Sequence, residues 1–340
     1  MSPAELRAVL RRHGLTAGRR LGQHFLCDPV ALRRIVEAAE ISPDDLVLEV
    51  GPGVGVLTRE LVRAGGRVTA VELDRALRPA LLDVLGWPAQ GDGRPALLAG
   101  DQSATLKRGT PGPGRMAAAE SPALERGTRG PGRAGPIPTD VLAPGLRILW
   151  ADAVKLAWPA VNDGLPGPWR VCSNLPYYIT GPFLASLFAG GLPWSTAVLL
   201  VQAEAAARMA AAPGIKAYGA FTCLVGYHAT VERVLAVPRR AFLPPPAVDS
   251  TVVRLRRRLS PPTSAPRGAL LRVVRAAFAQ RRKTLRNALA AALPAERAAL
   301  AGALAAAGIA GERRGETLDL EEFGRLTEAA VEWGLVDPTP

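Results

Sequence analysis

The chain has 340 residues, 48% of them hydrophobic, enough to fill a sizeable core and to exclude global disorder. A formal charge of +12 suits a polyanionic partner, although an arginine-rich proteome gives many proteins the same surplus. The three cysteines, Cys27, Cys172 and Cys223, form no C-x-x-C pair, so neither a zinc site nor a disulfide framework is expected and a reduced, cytoplasmic setting fits. No secretory signal and no membrane span are expected either: charges are scattered through the first twenty residues, and no uncharged stretch is long enough to cross a bilayer.

In chain order, the first strong element is a hydrophobic strand, Leu46–Val50, running into the glycine turn Gly51-Pro52-Gly53-Val54-Gly55. A helix pattern follows, with Val56, Leu57, Leu61 and Val62 on one face. A second strand, 68–71, ends at Glu72, and a helix is predicted over 76–85. Residues 86–145 break the alternation. They are rich in Gly, Pro, Ala and Arg, contain the near-repeat Arg108–Arg115 and Arg126–Arg133, and read as a disordered surface insertion. Alternation resumes with a strand at Leu146–Trp150 reaching Asp152, and a strand at 170–173 ending in Asn174-Leu175-Pro176-Tyr177. A helix over 182–189, a strand over 197–201 and a helical stretch over 202–209 come next. The last strands fall at 231–237 and 251–255, separated by Leu243-Pro244-Pro245-Pro246, whose prolines enforce an extended loop. Helical patterns then cover 270–280, 283–292, 295–307 and 320–333. The chain is therefore read as an α/β domain with a parallel sheet, formed by 1–85 and 146–260 around the insertion, followed by a small all-α domain at 267–335.

In such a sheet, ligands bind at the carboxyl ends of the strands. The glycine turn lets backbone approach a ligand closely. Glu72, about 20 residues on, stands where an acidic residue can bind ribose hydroxyls. A nicotinamide dinucleotide would account for this pair too. The turn is G-x-G-x-G rather than G-x-G-x-x-G, however, and S-adenosylmethionine, which has a ribose but no phosphate, fits it without added phosphate-binding residues. Asn174-Leu175-Pro176-Tyr177 is the sharper signal. The adenine amino group is a poor nucleophile because its lone pair is delocalised. The Asn174 side-chain oxygen and the backbone carbonyl of Leu175 or Pro176 are placed to fix its two N–H bonds. Pro176 stiffens the turn, and Tyr177 offers a face for an extruded base. An ordinary turn after a strand is the plain alternative.

These motifs, with Gly22-Gln23-His24-Phe25-Leu26, Gln202-Ala203-Glu204, Ala217-Tyr218-Gly219, Phe242 to Ser250 and Phe278 to Asn287, make the chain resemble the bacterial small-subunit (16S) ribosomal RNA adenine dimethyltransferase family from about residue 19 to 333. The resemblance implies a Rossmann-like class I methyltransferase sheet with a helical C-terminal RNA-binding domain. It implies S-adenosylmethionine held by His24, Leu26, Gly51, Gly53, Glu72, Asp152 and Asn174, and no metal. Many family members have Asn where His24 stands; either side chain can donate or accept a hydrogen bond. It implies catalysis at Asn174, Leu175, Pro176 and Tyr177, with Phe242 completing an aromatic sandwich around the target base. Arg281, Arg282, Lys283 and Arg286 would contact RNA phosphates, a solvated helix face being the alternative. The implied reaction is N6,N6-dimethylation of two adjacent adenosines in a hairpin near the 3′ end of 16S rRNA, within the 30S subunit or its precursor, by a cytoplasmic monomer with a role in 30S biogenesis. Three rivals remain: a 23S rRNA adenine methyltransferase of the antibiotic-resistance type, a non-catalytic 30S assembly factor, and a DNA adenine methyltransferase. The insertion departs from the family pattern.

Overall fold

The computed structural model describes residues 1–15, 23–87, 137–143, 145–162, 165–294 and 296–338. Helix α1 (Pro3–Arg12) opens on a capping box in which Ser2 and Glu5 satisfy each other's backbone N–H groups. Strand β1 (Phe25–Leu26) leads to α2 (Pro29–Ala39), capped by Asp28. The alternating unit follows as β2 (Leu46–Val50), α3 (Val56–Arg63), β3 (Arg67–Glu72) and α4 (Arg78–Val84). It continues through β4 (Thr139–Ala143), β5 (Leu146–Trp150), α5 (Trp158–Asn162), β6 (Trp169–Asn174) and α6 (Thr180–Ala189). Then come β7 (Trp194–Gln202), α7 (Ala203–Met209), α8 (Ala220–His228), β8 (Ala229–Val237), β9 (Phe242–Leu243) and β10 (Ser250–Arg257). Four helices close the chain: α9 (Arg267–Phe278), α10 (Leu285–Ala292), α11 (Arg297–Ala306) and α12 (Leu320–Glu332).

One sheet has the order β4-β5-β3-β2-β6-β7-β10-β8. From β5 to β7 every pairing is parallel; β4, β10 and β8 add antiparallel edges, so the sheet is mixed rather than wholly parallel. The chain runs outward from β2 through β3 to β5, then returns to the other side of β2 for β6 and β7. That reversal opens a crevice at the carboxyl ends of β2 and β6. Period-two alternation splits the central strands between two cores. Val47, Ala70, Ile148, Cys172 and Leu200 face the α1–α4 side, while Leu48, Val71, Leu149, Val171 and Leu199 face the opposite side.

The sequence reading did not place α1, β1, α2, α5 or β9, and it differs from the structure most at two further elements. The stretch 86–145 does not run unpatterned to its end: 139–143 form β4, an edge strand antiparallel to β5, pinned where Asp140 accepts from the Arg78 guanidinium and the Trp150 indole N–H. Only Leu142 and Ala143 of β4 are buried, so the alternation that betrays a strand is nearly absent. Residues 88–136 lie outside the described residues. Helix α8 was also missed. It is apolar nearly all round because it is wedged between layers, with Val225 in the second sheet core and Cys223 in the core of the terminal helices. That third core also takes Tyr218, so it begins well before the sequence switches to helices near residue 260. Among the described residues no helix is long and apolar enough to cross a membrane.

Candidate active site

The cleft is built from loops that leave successive strands. After β2, Gly51 and Gly53 have φ of 70° and 58°, a region side chains rarely adopt. A Cβ on Gly51 would lie 3.3 Å from Pro176, and one on Gly53 2.9 Å from the Phe25 ring, so the turn's backbone presses against both neighbouring walls. After β3, the buried Glu72 accepts N–H bonds from Gly53 (3.0 Å) and Asp74 (2.8 Å). After β5, Asp152 accepts from the Val154 N–H at 3.0 Å and lies 3.4 Å from the Lys155 ammonium. After β6, the Asn174 amide donates to the His24 carbonyl at 2.9 Å, which leaves its Oδ1 as an acceptor without a protein partner among the described residues.

The opposite wall is β1, held by β9, and the segment before it. Gln23 donates to Asp74 at 2.8 Å. His24 Nδ1 lies 2.8 Å from the Pro244 carbonyl; a carbonyl only accepts, so Nδ1 carries the proton. The His24 imidazole stacks on Tyr177, centroids 5.8 Å apart and planes at 25°, and the Tyr177 hydroxyl meets Ser250 Oγ at 2.7 Å. Burial pushes the Tyr177 hydroxyl above the ordinary tyrosine range.

His24, Leu26, Gly51, Gly53, Glu72, Asp152, Asn174, Leu175, Pro176 and Tyr177 all line one cavity of about 330 Å³. Phe242 does not. It is 3% exposed, pairs with Leu26 across β1 and β9, and packs in the first core, so the second aromatic of the expected sandwich is absent from the wall. Tyr177 meets His24 instead. Sequence reasoning missed Leu73 and Tyr178, which line the cleft while 52% and 58% exposed; both adjoin motif residues, the only signal available. It also passed over Glu49, which it read only as part of the strand Leu46–Val50.

Of the four cations expected at RNA, Arg281, Arg282 and Lys283 stand on a turn, residues 279–284 between α9 and α10, and Arg286 in the first turn of α10. Arg281 donates to the carbonyls of Lys216 and Tyr218, and Arg286 is paired with Glu312, so both serve the fold. Arg282 and Lys283 are exposed and, among the described residues, without partners. A second exposed pair, Arg239 and Arg240, sits on a turn whose backbone N–H is bonded to Asp249, next to the Ser250 that holds Tyr177.

Charge decides what the cleft can hold. Its lining contains the carboxyls of Glu49, Glu72 and Asp152 and neither Lys nor Arg, on a chain with a net +12. Burial, reinforced by the Glu72 charge, pushes Glu49 up to about 8. Burial also raises Glu72, against the pull of the backbone N–H groups of Asp74, Gly53 and Leu73. A pyrophosphate would be repelled here. A cationic ligand that also offers hydroxyl and amino donors fits, and S-adenosylmethionine is such a group. No cluster of three or more His, Cys, Asp or Glu residues suited to a metal occurs among the described residues.

The family model for ribosomal RNA adenine dimethylase matches residues 14–86 and 142–326. The chain belongs to the ribosomal RNA adenine dimethylase family. The match breaks over 87–141, the stretch holding most of the insertion. This dimethylase is 37% identical to ribosomal RNA small subunit methyltransferase A of Pelotomaculum thermopropionicum, covering 98% of each chain. It is 38% identical to the protein of the same name from Thermobifida fusca, over 96% of this chain and 95% of that one. Among solved structures, a dimethyladenosine transferase from Plasmodium falciparum shares the fold at a TM-score of 0.64 and 22% identity, covering 92% and 99% of the two chains. The 23S rRNA methyltransferase ErmE follows at 0.57 and 25%, covering 90% and 98%.

Proposed function

We propose that this dimethylase transfers methyl groups from S-adenosylmethionine to N6 of two adjacent adenosines in a hairpin near the 3′ end of 16S rRNA, two on each, within the 30S subunit or its precursor. The observation that carries the reading is the Asn174 amide, fixed by the His24 carbonyl at the edge of an acid-lined, cation-free cleft. Bound S-adenosylmethionine supplies a methyl on a sulfonium, already a good leaving group. Catalysis is then mostly positioning.

Glu72, anchored by Gly53 and Asp74, has lone pairs left for ribose hydroxyls, and Asp152 is the acceptor for an adenine amino group. Asn174 Oδ1 and a carbonyl of Leu175 or Pro176 accept from the target N6 amino group, turning its lone pair toward the methyl. Tyr177 supplies a stacking face, and loop bases of a hairpin are cheap to extrude. Arg282 and Lys283 contact phosphates, and Arg239 and Arg240 add charge on the Tyr177 side. The protein acts as a cytoplasmic monomer during 30S biogenesis, and residues 88–136 are dispensable for transfer.

The test is mass mapping of methyladenosines in 30S and 50S particles from cells lacking the protein, before and after treatment with it and S-adenosylmethionine. Dimethyladenosine should appear at two adjacent 16S positions. Its appearance in 23S rRNA instead would favour the activity named for ErmE. No methylation of either, with particle maturation still restored, would leave an assembly factor.

A further inference from the structure

Two buried carboxyls meet in the cleft with no cation beside them. Glu49, on β2, lines the cavity, is 1% exposed, and has an Oε2 sealed from solvent without a hydrogen-bond partner. The groups reaching it from the packed elements are Glu72 on β3, Cys172 on β6 and Thr58 on α3, none of them a cation. The buried Thr58 hydroxyl favours the ionised carboxyl but makes no full hydrogen bond to it, so burial prevails, and the Cys172 thiol is driven up by burial and by the Glu49 charge. Helix α2 and the turn before α4 bring only Leu32 and Leu77 to the cavity. Glu72 differs, because its oxygens accept two backbone N–H bonds that favour its ionised form. Ionising Glu49 in the same wall is costly until a positive charge arrives.

We propose that Glu49 is the charge-selecting residue of the cleft, favouring a sulfonium cofactor over the uncharged thioether left after methyl transfer. This rests on the S-adenosylmethionine reading above. Glu49 releases its proton to solvent as the cation enters, and its carboxylate then attracts that cation through the field of a dry wall rather than by contact. Once the methyl has left, the sulfur is neutral, the carboxylate has lost its counter-charge and takes a proton back from water. Each turnover releases and regains one proton at Glu49, so the balance of the transfer reaction is unchanged. The effect belongs on the acid side of about 8, the value to which burial pushes Glu49.

Titration calorimetry with S-adenosylmethionine and S-adenosylhomocysteine, from about pH 6 to about pH 9 in buffers of different protonation heat, tests this. S-adenosylmethionine should bind with release of about one proton and tighten by up to roughly tenfold per pH unit until about pH 8, while S-adenosylhomocysteine shows no comparable slope. Glu49→Gln keeps the shape but cannot ionise, so the slope should vanish and the preference for the sulfonium fall by roughly tenfold or more above pH 8. Glu49→Asp should restore part of the slope. The ligands' own amino titration is common to wild type and variants and cancels in their difference. Melting curves give a second readout. A Glu raised in the folded state contributes stability that is present below about 4.5 and lost as pH rises through about 8, so Glu49→Gln should flatten that decline. Equal slopes for the two ligands, or a slope surviving in Glu49→Gln, overturn the proposal. Failure of wild type to bind S-adenosylmethionine at any pH overturns the cofactor reading instead.

Discussion

The cleft and the turn between α9 and α10 are charged in opposite senses. The cavity lining carries three carboxyls and neither Lys nor Arg, with the Lys155 ammonium meeting Asp152 from outside it, while the turn exposes Arg282 and Lys283 without acidic partners among the described residues. Elsewhere on the surface the arginines are commonly neutralised: Arg254 and Arg256 pair with Glu40 and Glu232, and Arg313 with Glu322. Among the described residues, Arg282 and Lys283 share their unpaired state with other exposed arginines, Arg239 and Arg240 included. Under the proposed function, these opposite fields would sort a cationic cofactor from a polyanionic substrate before any specific contact forms.

The largest effect should come from breaking the acid side. Glu72→Ala is expected to weaken S-adenosylmethionine binding by about 1–3 kcal/mol, the range for losing partners of buried polar groups. Unchanged affinity by calorimetry in a folded variant would remove Glu72 from the site. At the boundary between the two regions, Tyr177→Ala should slow single-turnover methylation of 30S particles by the equivalent of roughly 1–3 kcal/mol of stacking and leave cofactor affinity nearly unchanged. Tyr177→Phe should be milder in rate, with a melting shift from losing the Ser250 bond worth about 1 kcal/mol. A Phe variant as slow as the Ala variant would transfer the role from the ring to the hydroxyl. The smallest effect belongs to the basic side. Replacing Arg282 and Lys283 by Ala should raise KM for 30S particles and flatten its salt dependence by about two phosphate contacts, with kcat preserved. Arg281→Ala should instead lower the melting temperature, because the Lys216 and Tyr218 carbonyls lose their donor. If both changes act alike on the salt slope, Arg281 too reaches RNA.

The central strands and the glycine turn were legible because a five-residue strand, apolar but for Glu49 and followed by Gly-Pro-Gly, has few other physical meanings. The motif residues of four separate loops could be placed together because strand ends in a doubly wound sheet converge. Phe242 could not be placed, since an aromatic beside three prolines reads equally as pocket wall or as core, and only the pairing of Leu26 with Phe242 buries it. The roles of Arg281 and Arg286 were hidden for a similar reason: their partners lie 65 and 26 residues away. Glu49 was invisible as an ionisable group because acidity in a strand carries no mark of how deeply it is buried.

Glu72 also limits how this cleft can change over generations. Its carboxylate closes the loop after β3 through Asp74 and ties that loop to the glycine turn through Gly53. A substitution aimed at the proposed ribose contact would therefore unfasten two backbone segments at once, and a shorter Asp would have to reach both amides with one carbon fewer. On the proposed reading, ligand choice and loop architecture share the same two oxygens, so drift toward a different nucleoside would need a compensating rebuild of the turn in the same step.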